Sequence, residues 1–174
     1  MNPTQPTPTI PTAPAFTAEE VGPMCLVTGG AGYLGSKIVQ RLLDSGCRVR
    51  SLDVAPQKPR DGVEAIQADL QDKKALQKAC EGVNTVFHTA ALISLLSSYR
   101  ATVKDRVFGV NVEGTRQLLD AAAHAGVQAF VHTSSFNVAL HPNGAGAKQD
   151  ESSAYVHGNK DLYTMSKIAS EDAV

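Results

Sequence analysis

The stretch Met24-Cys25-Leu26-Val27-Thr28-Gly29-Gly30-Ala31-Gly32-Tyr33-Leu34-Gly35 decides how this chain is read. Its first five residues form a short apolar run, the mark of a buried strand. Glycines then stand at 29, 32 and 35, and Leu34, Ile38, Val39, Leu42 and Leu43 follow at the spacing of one helix face. A glycine turn carries chemistry when a strand enters it and an amphipathic helix leaves it. Gly29 permits the tight turn, Gly32 lets a pyrophosphate approach the backbone, and Gly35 lets helix and strand pack closely. The helix N-terminus adds free N–H groups and partial positive charge. A purely structural turn is the competing reading.

Asp53 closes a second strand, 18 residues beyond Gly35. A carboxylate there can accept hydrogen bonds from both hydroxyls of a ribose. Val54 and Ala55 follow it, with no arginine for a 2′-phosphate, so the pattern favours NAD over NADP. Asp69-Leu70 follows a third strand and has two readings. Asp69 either caps the next helix or sits beside the adenine amino group, with Leu70 against the ring. His88-Thr89-Ala90-Ala91 ends a fourth strand, where Ala90 and Ala91 leave room for the nicotinamide ribose. His88 itself reads as a core histidine rather than a base.

Beyond the turn, apolar runs alternate with helical stretches. Strands are expected over 24–28, 48–53, 63–68, 83–89 and 127–134, and helices over 72–80 and 161–174. Val107, Gly114, Leu118, Ala121 and Ala125 mark a long helix ended by Gly126. This alternation implies right-handed βαβ units in a doubly wound α/β fold of the Rossmann type, strand order 3-2-1-4-5. Residues 23–174 form that domain. Residues 1–22 read as a disordered tail, because six of the nine prolines lie at Pro3, Pro6, Pro8, Pro11, Pro14 and Pro23. Proline at that density blocks helix and ladder hydrogen bonds. A docking peptide is the alternative reading of the tail.

Composition excludes several classes. With 43% hydrophobic residues the chain is too apolar to be disordered throughout. Sixteen basic residues against 17 acidic leave a net charge of −1, which gives no reason to expect a nucleic-acid partner. No run of about 18 apolar residues marks a membrane segment. Cys25, Cys47 and Cys80 are odd in number and lack metal-ligand spacing, so neither a disulfide framework nor a metal site is expected. Reduced thiols suit a cytoplasmic setting.

A second constellation lies downstream. Ser134 and Ser135 end the fifth strand, and strand C-termini border the ligand crevice of such sheets. Tyr163 and Lys167 stand four apart in a helical stretch and share a face. A free tyrosine has a pKa near ~10. A neighbouring ammonium favours the phenolate and fits the tyrosine for exchanging a proton with an alcohol. Asp150, Tyr155, His141 and His157 lie in the loop between, where Pro142, Gly144, Gly146 and Gly158 suggest mobility. They read as solvated loop residues, and Tyr99 and Arg100 as residues near the pocket edge.

Together these marks resemble the extended short-chain dehydrogenase/reductase family, and within it the 3β-hydroxysteroid dehydrogenase and sterol 3-dehydrogenase (decarboxylating) branch. The resemblance covers residues 24–174. It rests on the glycine turn, Asp53, Asp69-Leu70, His88-Thr89-Ala90-Ala91, Asn111-Val112-Glu113-Gly114-Thr115, Thr133-Ser134-Ser135 and Tyr163-Thr164-Met165-Ser166-Lys167. The branch rests on 83–91, 127–135 and the serine-to-tyrosine gap.

The resemblance implies that Tyr163 is the general acid/base and that Lys167 binds the ribose and tunes it. Ser135 would orient substrate, with Ser134 as the alternative, and Asn111 would support the active-site hydrogen-bond network. NAD would lie on Gly29, Gly32, Tyr33, Leu34, Gly35, Asp53, Asp69, Leu70, Ala90, Ala91, Tyr163 and Lys167. The substrate would be a hydrophobic, sterol-like alcohol. A nucleotide sugar handled by an epimerase or dehydratase, and a non-catalytic dinucleotide-binding fragment, are the other readings. A homodimer is expected of the full-length protein. Members of the family run well beyond this length, so the chain resembles their first half. The outer edge of the fifth strand and some apolar helix faces should therefore be uncovered. Membrane association could still come from a C-terminal half.

Overall fold

The alternation of side chains along each strand sends residues to two different cores. In β1 (Met24–Thr28), Leu26 points to one face and Val27 to the other, and both are fully buried. This is the pattern of a strand covered on both sides. The computed structural model describes residues 22–93, 101–139, 150, 153–155 and 161–174. It contains β2 (Arg48–Asp53), β3 (Val63–Gln67), β4 (Thr85–His88) and β5 (Ala129–His132) beside β1. All pairings are parallel, in the order β3-β2-β1-β4-β5, as the alternation implies.

On one face lies α1 (Tyr33–Asp44), whose Val39 packs with Val27 and Val49. The other face is covered by α2 (Lys73–Cys80) and α4 (Gly114–His124). There Leu26, Leu52, Val86, Leu76 and Leu118 form the larger core. Burying each such side chain contributes roughly 1.5–3 kcal/mol. Gly29, at φ +71°, turns the chain from β1 toward α1. A Cβ on Gly35 would collide with the Gly29 carbonyl, so the helix starts close against the turn only because residue 35 is glycine.

Three departures from the sequence pattern have physical reasons. The long helix is not uniform. α3 (Ala101–Phe108) leads into a π-helical turn (Gly109–Glu113) and only then into α4. The Gly114 N–H bonds the Gly109 carbonyl, five residues back. Asp72, not Asp69, caps α2, its carboxylate accepting from the Ala75 N–H at 3.0 Å. Finally, α5 (Leu162–Glu171) stops before Ala173. The N–H groups of Ala173 and Val174 bond carbonyls three residues back, tightening the last turn. The expected tail up to residue 21, and Tyr99, Arg100, His141 and His157, lie outside the described residues, whereas Gly22, expected in that tail, is buried, its carbonyl accepting from Arg48 Nε at 3.3 Å.

β5 stands at the sheet edge, with Ala129 and Val131 exposed. The side chain of Phe136 beyond it is 78% exposed. Among the described residues no helix is long and apolar enough to cross a membrane.

Candidate active site

The C-terminal ends of β1, β2, β3 and β4 open into a cleft of about 290 Å³. Gly29, Gly32, Asp53, Asp69, Leu70, Ala90 and Ala91 line it together. Tyr33 and Leu34 are exposed beside it in the first turn of α1, and Gly35 is buried beneath. A side chain on Gly32 would meet only the Gly29 carbonyl, at 3.1 Å, so that surface of the turn is open. Gly30 is closed off instead, because Ser51 fills the space behind it. Ser51 and Gln57 hydrogen-bond each other, and the Gln57 amide donates to the Ser51 carbonyl at 2.8 Å. No motif announced that clasp.

Asp53 is held in place by backbone. Its Oδ2 accepts from the Ala31 N–H at 3.0 Å and its Oδ1 from the Ala55 N–H at 2.9 Å. Each oxygen keeps a further lone pair for a ligand. Asp69 accepts from the Gln71 N–H at 2.9 Å, an Asx turn that directs the chain past the cleft. Leu70 both lines the cleft and belongs to the larger core.

Behind β4 a buried polar ladder replaces apolar packing. His88 is 1% exposed and contacts Thr28 Oγ1 through Nδ1 at 2.6 Å and Thr115 Oγ1 through Nε2 at 2.9 Å. Thr115 donates its hydroxyl proton to the Asn111 carbonyl at 2.7 Å, so it accepts from His88. The imidazole is therefore neutral with the proton on Nε2, and Thr28 donates to Nδ1. Burial, with His132 and Lys167 nearby, pushes His88 down to about 3. His88 is a satisfied core histidine, as its position in the strand suggests.

Asn111 is the pivot of the site. The π turn presents its side chain to the segment after β4: Oδ1 accepts from the Leu92 N–H at 2.7 Å, and Nδ2 donates to the Leu92 carbonyl at 3.0 Å. The same amide donates to Ser166 Oγ at 2.9 Å, and Ser166 donates to the Tyr163 carbonyl at 2.7 Å. Asn111 thus ties the cleft wall to the helix carrying Tyr163 and Lys167. Asp161 caps that helix through the Thr164 N–H at 2.8 Å.

Lys167 is 3% exposed and donates to the Thr133 carbonyl at 2.7 Å, which joins α5 to the end of β5. Burial pushes its pKa below the usual lysine value, opposed by the Glu171 carboxylate. His132 is lowered to about 4, by burial first and then by Lys167. Tyr163 is half-buried one turn before Lys167. The two end-of-strand serines differ. The Ser134 hydroxyl is buried without a partner among the described residues, whereas Ser135 Oγ accepts from the Asn137 N–H at 3.3 Å and caps the 3₁₀ turn Phe136–Val138. In the loop before α5, Tyr155 bonds Glu171, and Asp150 is exposed.

A parallel sheet in this order, with a glycine turn at β1, an acid closing β2, serines after β5 and a Tyr–Lys helix, defines a Rossmann-type protein of the short-chain dehydrogenase/reductase class. Residues 26–174 match the model of the 3-beta hydroxysteroid dehydrogenase/isomerase family, and the chain belongs to that family. It is 44% identical over 151 residues to a 3 beta-hydroxysteroid dehydrogenase/Delta 5→4-isomerase of Mycobacterium tuberculosis. That match covers 84% of this chain but 40% of the relative, so the chain spans less than half of the relative's length. A short-chain dehydrogenase/reductase superfamily protein from Agrobacterium tumefaciens, crystallised with bound NAD, is similar at 38% identity and a TM-score of 0.71, over 86% of this chain and 43% of that one. MoeE5 in complex with UDP-glucose and NAD is similar at 32% identity and a TM-score of 0.74, over 86% of this chain and 47% of that one.

Proposed function

We propose that residues 23–174 bind NAD and supply the proton-transfer groups of an oxidoreductase that acts on the CH–OH group of a sterol-like alcohol. One observation carries this reading: the cleft that gathers Gly29, Gly32, Asp53, Asp69, Leu70, Ala90 and Ala91 from four strand ends. Its parts fit the cofactor by chemistry. The open face at Gly32 and the N–H groups of the first turn of α1 suit a pyrophosphate. Asp53, oriented by two backbone N–H groups, suits the adenosine ribose. Leu70 suits the adenine, with Asp69 at its amino edge. Ala90 and Ala91 suit the nicotinamide ribose, and Tyr33 and Leu34 would border the cofactor from the first turn of α1. NAD, when bound, supplies the hydride acceptor.

The chain's own groups do the rest. Tyr163 takes the alcohol proton. Lys167, held by Thr133, reaches the nicotinamide ribose. Ser135 is the serine for the substrate oxygen, supported by the occlusion of the Ser134 hydroxyl. Asn111 positions the Tyr163 helix. The dimer and the cytoplasmic setting belong to the same proposal, the latter supported by three free cysteines.

A nucleotide-sugar substrate is the second reading, favoured by the likeness to MoeE5 with UDP-glucose. Two measurements test the pair. NAD titration of this chain checks the cofactor. Hydride transfer by the full-length protein, offered a 3β-hydroxysteroid and UDP-glucose in parallel, checks the substrate. NADH formed with the steroid alone is expected. Turnover of UDP-glucose alone would replace the sterol reading.

A further inference from the structure

Arg106 is a cleft residue that no motif announces. It lies in α3, one helical turn before Val110, and both side chains line the cleft. The direction of this helix fixes which end of the cleft it covers. A Cβ on Gly109 would meet the Gln71 amide, and one on Gly114 would meet Leu70. This face therefore packs along the segment after β3, beside Asp69 and Leu70, where adenine is assigned above. Arg106 is the one Lys, Arg or His among the residues lining the cleft, against the two carboxylates Asp53 and Asp69. It has no ion-pair or hydrogen-bond partner among the described residues, and it is exposed. An arginine serving the helix would bond a carbonyl or a neighbouring acid.

The surfaces around it are those of a site for a flat, uncharged ring: Leu70, Ala90 and Val110 are apolar. A guanidinium plane stacks on an aromatic face by cation–π attraction. We propose that Arg106 closes over the adenine ring of the bound dinucleotide and sets the preference of the cleft for a purine. This rests on the dinucleotide reading above.

The test compares the unsubstituted chain with Arg106→Ala and Arg106→Lys. NAD and nicotinamide mononucleotide are titrated by calorimetry, and adenosine by competition against NADH fluorescence. Thermal melts check that all three proteins are folded. Arg106→Ala should weaken NAD and adenosine by the same factor, about three- to thirtyfold, and leave nicotinamide mononucleotide unchanged. Arg106→Lys should recover only part of the loss, because an ammonium does not stack as a plane. Loss for NAD without loss for adenosine would assign the guanidinium to phosphate and overturn the proposal. Unchanged NAD affinity in Arg106→Ala would overturn it while leaving the dinucleotide reading intact. Failure of the unsubstituted chain to bind NAD would remove both.

Discussion

At the scale of single residues, the positions of a few protons and lone pairs decide the chemistry. Asp53 spends one lone pair of each oxygen on a backbone N–H and keeps the others for a ligand. Asp53→Ala should therefore weaken NAD by about tenfold or more for each charged hydrogen bond lost. NADP, whose 2′-phosphate the carboxylate repels, should lose less. Parallel titrations of both cofactors check this, and equal affinity for both in the unsubstituted protein would contradict it. Tyr163→Phe keeps the ring and removes the transferable proton. In the full-length protein it should lower turnover by about 10²–10⁴-fold with NAD affinity nearly unchanged, measured by hydride transfer and titration under one set of conditions.

At the scale of elements, the π turn does what a regular α-helix would not. One extra residue in the Gly109–Glu113 turn lets Asn111 reach Leu92 and Ser166 together, joining the end of β4 to α5. Asn111→Ala would orphan the Leu92 N–H and carbonyl in a partly buried place. Each unsatisfied group costs about 1–3 kcal/mol. The expected result is a lower melting temperature and, in the full-length protein, lower turnover. Asn111→Asp should restore less than half of the loss, because a carboxylate cannot donate to the Leu92 carbonyl. A melting temperature unchanged in Asn111→Ala would show that the three bonds carry no stability.

At the scale of the whole molecule, the larger core and the buried histidines set stability. Leu118 is fully buried between α4 and the sheet, so Leu118→Ala should cost about 2–5 kcal/mol in chemical unfolding. His88 and His132 are lowered to about 3 and about 4, whereas an unfolded histidine titrates near 6.5. Below pH ~6.5 the unfolded chain binds protons that the folded chain does not, so folding stability is lost as pH falls. Between about pH 6 and pH 4 the buried His88 should remove about 1 kcal/mol per pH unit, and the partly exposed His132 less, because solvent screens it. Urea unfolding across that range checks the slope, and stability constant from pH 7 to pH 4 would contradict it. The exposed Val131 and Phe136 mark the other feature of this scale, a sheet whose β5 edge is bare among the described residues.

The sequence alone determined what depends on neighbours along the chain. The strand, glycine turn and helix at 24–44 were legible because hydrophobic period and glycine spacing are local signals. The parallel order of the sheet followed from alternation and crossover handedness. The place of Asp53 at a strand end, and of Tyr163 and Lys167 one turn apart on a helix, were legible for the same reason: strand ends and helix turns are counted in residues. The tertiary structure decided what depends on distant partners. Asp72 rather than Asp69 became the helix cap, because the chain makes an Asx turn at Asp69 before α2 begins. In the π turn Asn111 bonds Leu92 and Ser166, 19 and 55 residues away, and no periodicity encodes such bonds. The tautomer of His88 was set by Thr28 and Thr115 from two other elements. Arg106 reached the cleft only because α3 and the π turn pack along Leu70 and Gln71. Local patterns fix backbone geometry through steric and hydrophobic period, whereas buried polar groups take their partners from wherever packing brings them, and that is known only once the chain is folded.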